Sequence, residues 1–213
     1  MTDGAAAVCF AAAVDRGIIA DAIGHFQPIP MVYSTKKVKR GKEMTSNPYR
    51  VSEEALNELH SRLRAGLEEC PPFSVVQRCN REVSALWDSP CTYALLIADD
   101  AIKALRRKGI HAQLSGKWEN SLCAYQMGLI PENPMARNAS SKSLIKDGLI
   151  LEPVQIAVDA QHRECFAELL KQCVQAWGFW MHPQGQDTWR LISYGFREDD
   201  IYAQYAPKLV MVC

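Results

Sequence analysis

The chain has 213 residues, of which 48% are apolar and 23% charged, and its 24 basic side chains are balanced by 24 acidic ones. That length buries one core without disulfides or metals, and the composition excludes a disordered or collagen-like chain. Zero formal net charge argues against a protein that coats nucleic acid, which needs a basic excess.

The expected fold is therefore α+β in a single domain, 1–213. A helical N-terminal layer over about 1–88 packs on a small, mostly antiparallel sheet within about 89–213. The expected partner is a protein or peptide, not nucleic acid, and the oligomeric state is open. No apolar run reaches the length of a bilayer span, so no membrane association is expected and the cytoplasm is the expected compartment. The apolar stretch 5–14 lacks a preceding basic segment and reads as the start of a buried helix.

Residues 5–26 read as one or two helices ending near Gly24, and 28–34 as a short extended piece. Lys36, Lys37, Lys39, Arg40 and Lys42 then form a basic cluster, read as a solvated loop with phosphate binding as its functional alternative. Ser52 caps an amphipathic helix carrying Leu56, Leu59, Leu63 and Leu67, which Pro71 and Pro72 end. A second helix from about Ser74 places Val76, Cys79, Val83 and Leu86 on one face. A third opens near Pro90, buries Leu95, Ala98, Ile102 and Leu105, and stops at Gly109.

Residues 110–114 alternate like a strand, and Ser115-Gly116 turns the chain. The stretch 119–147, with Pro131, Pro134 and a Ser/Asn cluster, reads as an irregular connection with one helical turn. Residues 149–158 read as a strand bent or split at Pro153, 162–177 as a helix, and 188–194 and 209–212 as strands.

The eight cysteines form no Cys-x-x-Cys pair and no zinc-like spacing with histidine, so most are expected to be reduced and buried. No P-loop, Gly-x-Gly-x-x-Gly or His-Glu-x-x-His motif occurs, so neither cofactor nor metal is expected. Adjacent pairs such as Asp99-Asp100 diverge by about 100° on a helix and do not form one metal site.

Cys91 is the cysteine that stands apart, because a helix N-terminus stabilises a thiolate. Cys91, Ala94, Leu95, Leu105, Gly109, Ile110 and Ala112 occur in the order cysteine, leucine-bearing helix, Gly-Ile stop and strand. This run of about thirty residues resembles the transglutaminase-like branch of the papain-like superfamily. The resemblance implies a papain-like core and a thiol hydrolase or acyl transferase acting on amide, ester or isopeptide bonds. Cys91 would attack, and a histidine opening a later strand would act as base.

No histidine lies between Leu114 and Ala160, which leaves His182, just before a predicted strand, ahead of His111 and His162. Asp187 or Glu152 would orient its ring. Two other readings stand beside this one. The first is a non-catalytic interaction or regulatory protein on the same scaffold, and the second is phosphate or nucleic-acid binding through the 36–42 loop.

Overall fold

The computed structural model describes residues 49–67 and 71–213. The expected N-terminal helices, the extended piece and the basic loop lie outside the described residues. The chain divides into two compact units, one of which is formed by Asn47–Leu67 with Phe73–Cys213.

This unit has an α+β fold, as the sequence predicts. Its helices are α1 (Glu53–Gly66), α2 (Phe73–Trp87), α3 (Cys91–Arg107), the short α4 (Leu122–Gln126) and α5 (Arg163–Ala176). Strands β1 (Ala112–Leu114), β4 (Val154–Val158), β5 (Phe179–Pro183), β6 (Thr188–Ser193) and β7 (Lys208–Val212) form one sheet in the order β1-β4-β7-β6-β5. A separate hairpin pairs β2 (Ile145–Lys146) with β3 (Leu149–Ile150). Its turn is Asp147-Gly148, both at positive φ (50° and 79°), as a two-residue hairpin requires.

Within the main sheet β1–β4, β5–β6 and β6–β7 are antiparallel, and β4–β7 is parallel. Burial alternates along the strands: Val154, Ile156 and Val158 on β4 and Leu209 and Met211 on β7 are buried. These residues meet α3, which in turn packs against α5.

Ser52 caps α1 as expected, its hydroxyl accepting from the Ala55 N–H. The centre of α3 is buried all round, with Leu95, Leu96, Ile97, Ala98, Ala101, Ile102 and Leu105 fully enclosed. Gly66 permits a close approach, since a Cβ there would fall 1.6 Å from the Gln126 carbonyl oxygen.

The irregular stretch after β1 is held by charge. Glu82 on α2 is fully buried. Its carboxylate accepts from Ser121 Oγ (2.8 Å), Leu122 N (3.1 Å) and Cys123 N (3.0 Å), so it serves the otherwise unpaired amides that open α4. Arg78, one turn earlier, pairs with it at 3.1 Å and donates to the carbonyls of Asn120 and Ala139, both at 2.5 Å. Removing one member of a buried pair leaves the other uncompensated, at a cost of about 3–5 kcal/mol. Glu82→Ala and Arg78→Ala are each expected to lower the unfolding free energy in urea by about that much. The double variant should lose clearly less than the sum of the two.

Candidate functional site

Cys91 opens α3 as the sequence predicts, and its surroundings make the thiol a structural donor. The side chain is buried, and its Sγ donates to the Glu152 carbonyl at 3.4 Å. Ser89 Oγ accepts the Cys91 N–H at 3.2 Å and donates to the Ile150 carbonyl. Trp118 Nε1 donates to the Pro153 carbonyl at 2.9 Å. Three side chains thus grip the backbone of 150–153 and fix the entry to β4. Burial is the main cause that pushes the Cys91 thiol up to about 11, with the Glu152 charge adding to it and the Ser89 contact opposing it.

Of the expected partners, only Glu152 comes near Cys91. Its carboxylate takes Lys117 at 2.6 Å and Lys146 at 3.7 Å. His182 precedes β6, the strand expected over 188–194, and itself lies in β5, a strand the sequence does not reveal. Strand β5 is an edge strand, three spacings of roughly 4.8 Å from β4, or about 14 Å. His182 pairs with Arg190, and Arg190 with Lys208, so all three share the sheet face opposite the one bearing Leu209 and Met211. Cys91 belongs to the helix that covers that other face.

Asp187 is tied to Arg163 on α5 and makes no hydrogen bond to His182. His111 is exposed and His162 ends a short 3-10 turn. The structure therefore brings Cys91 and Glu152 together and leaves His182 and Asp187 elsewhere. At neutral pH a thiol with a pKa near 11 is almost wholly protonated. Iodoacetamide at pH 7–8.5 is expected to label the exposed Cys165 and Cys213 in the native protein and to spare Cys91 until the chain unfolds. Peptide mass spectrometry reads this directly, and Cys91 labelling below pH 8 would restore the nucleophile reading.

Three further features lie outside the expected Cys91 site. The first is the face of the main sheet turned away from α3. By register it carries Gln113, Gln155, Ala157, Lys208, Val210, Val212, Thr188, Arg190, Ile192, Trp180 and His182. Ile192 is buried, Lys208 and Val212 are exposed and the rest are half-buried. No Asp or Glu occurs on any of the five strands. The second is a cleft of about 560 Å³ beside α1, walled partly by Tyr93, Trp177 and Phe179. The third is a cleft of about 530 Å³ between α5 and the β5–β6 hairpin, lined by Glu164, Lys171, Met181 and Trp189 among others.

Among the described residues no group of three or more His, Cys, Asp or Glu side chains is placed to hold a metal ion, and no helix is long and apolar enough to cross a membrane. No protein-family model matches the chain, and no curated protein matches it.

Proposed function

We propose that this chain is a non-catalytic binding protein that presents the face of its five-stranded sheet turned away from α3 to single-stranded nucleic acid. The observation that carries the reading is the cross-strand row Lys208, Arg190 and His182, on a sheet whose strands hold no carboxylate. Arg190 and Lys208 lie directly opposite one another. Like charges in that position oppose folding, so the sheet gains nothing from the pair by itself. A bound phosphate turns this repulsion into attraction.

Trp180 lies two residues from His182, with the rings 5.7 Å apart and nearly perpendicular. Aromatic side chains beside a cationic track support base stacking without sequence preference. The neutrality that argues against nucleic acid from the sequence averages over a segregated distribution. The five strands carry no acid, whereas acids occur on helices, as Glu53 and Glu54 in α1 and Asp99 and Asp100 in α3, and in loops, as Glu152, Asp187, Asp199 and Asp200. Arg190 Nε is buried without a hydrogen-bond partner, while Nη2 donates to Gln184 Oε1 at 2.9 Å.

The test is fluorescence anisotropy with a labelled twenty-nucleotide oligothymidine, measured over a range of salt. Contact with two or three phosphates gives a log–log salt slope of about −1.4 to −2.1. Lys208→Glu places a carboxylate opposite Arg190. It is expected to raise fold stability by about 0.2–1 kcal/mol while weakening oligonucleotide binding about tenfold or more. Opposite signs for stability and binding separate recognition from a folding defect. Binding that survives Lys208→Glu and disappears when Lys36, Lys37, Lys39, Arg40 and Lys42 are changed to Ala would overturn the sheet-face reading in favour of the loop. Absence of binding at low salt, with a protein captured through this face instead, would make the partner a polypeptide.

A further inference from the structure

The cleft beside α1 belongs to neither the Cys91 region nor the sheet face turned away from α3. Tyr93, Trp177 and Phe179 contribute its apolar wall, and Glu54 and Glu58 its acidic side. The Tyr93 ring lies 5.0 Å from Phe179 at 55° and 6.4 Å from Trp177 at 69°, so neither neighbour stacks face to face on it. The Tyr93 hydroxyl is already engaged, accepting from Ser52 N at 2.9 Å and donating to the Arg50 carbonyl at 3.2 Å. Tyr93 and Phe179 are nearly buried, so the ring surface open to a ligand is chiefly that of the half-buried Trp177.

The charge around this wall is unbalanced. Arg62 stands 5.9 Å from the centre of the Trp177 ring and pairs with Glu58 (2.7 Å), Asp99 (2.7 Å) and Asp100 (2.8 Å). Lys103 also takes Asp99, at 2.7 Å. With Glu54, four carboxylates face two cations, an excess of two negative charges. Asp99 is fully buried, and its Oδ1 has no hydrogen-bond partner. The Trp177 indole N–H is spent on Asp100 at 2.8 Å, which fixes the ring in place.

The geometry points to a binding site for a methylated ammonium group in this cleft. Aromatic faces attract cations, and a quaternary ammonium carries its charge under methyl groups that suit an apolar wall. The carboxylates supply the longer-range attraction. A metal ion would need converging oxygen ligands, which the ring wall does not provide. The same chemistry is offered by a free choline-like molecule and by a trimethylated lysine side chain.

Titration of the folded chain with choline, followed on the Trp177 indole N–H resonance, tests the site. A saturable shift with a dissociation constant on the order of 1 mM is expected. The neutral isostere 3,3-dimethylbutan-1-ol should bind at least tenfold more weakly, roughly the contribution of a desolvated cation–π contact. Trp177→Leu should abolish saturation. The surface double variant Glu54→Gln/Glu58→Gln, which leaves the core untouched, should weaken choline about fivefold. A trimethyl-lysine peptide that binds more tightly than choline supports a protein side chain as the source, and one that binds no better supports a free small molecule. Equal binding of alcohol and choline, no saturation by either ammonium probe, or indifference to the double variant would overturn the assignment.

Discussion

The buried pair of Arg78 and Glu82 is the constraint on which the irregular half of this unit depends. Between β1 and the β2–β3 hairpin the chain runs for about thirty residues with little regular structure, and such a segment cannot bury its backbone without partners. Glu82 supplies acceptors to Ser121, Leu122 and Cys123, and Arg78 supplies donors to Asn120 and Ala139. The α4 turn fixed in this way carries the chain on to Leu129, whose carbonyl accepts from Leu114 N at 2.8 Å. Through that bond the edge strand β1 is tied to the same pair. The desolvation of two charges is offset because nearly every lone pair and proton in the group finds a partner.

The second lock, at residues 150–153, shows how competing effects settle the character of a cysteine. A helix N-terminus favours the thiolate of Cys91 by about 0.3–1 kcal/mol, less than one pKa unit. Full burial acts in the opposite direction by up to about 3–5 units. Desolvation wins, the thiol keeps its proton, and the proton is used to hold the Glu152 carbonyl. Position at a helix start is visible in a sequence, whereas the depth of burial that reverses its effect is a property of the packed chain.

The same division governs what else is legible. Helices α1, α3 and α5 follow from apolar spacing and from local stops such as Ser52 and Gly109, and their limits agree with expectation within a few residues. Strand β7 shows the alternation of Leu209 and Met211 with Lys208, Val210 and Val212. Strand β5 escapes a sequence reading because Phe179, Trp180 and Met181 are all apolar, with no polar alternate to reveal a face. The Asp147-Gly148 hairpin is signalled by its turn residues, but it adjoins a Pro- and Ser-rich stretch that reads as an irregular connection. Glu82 lies within the pattern of Cys79, Val83 and Leu86, and periodicity cannot show that residues 121–123 will close over it. The polar side of α1 predicts a solvated His60. It is half-buried with its ring 6.2 Å from Trp87, and burial holds its pKa below the usual value. The parallel pairing of β4 with β7 joins segments about fifty residues apart, beyond the reach of any local signal.

A net charge of zero is the clearest case of a whole-chain property that misleads about a surface. Strands disfavour Asp and Glu in general, so a sheet without carboxylates is not by itself evidence of a ligand. The register of the cations is more specific. Lys208, Arg190 and His182 occupy consecutive strands in one row at roughly 4.8 Å spacing, well within the Debye length of about 8 Å at physiological salt. Charges so close act on an approaching anion together. On the other side of the fold, around Arg62, the excess is negative and lies beside aromatic rings. The two surfaces differ in sign, so the local charge pattern of this chain is set by strand register and helix packing and not by its composition.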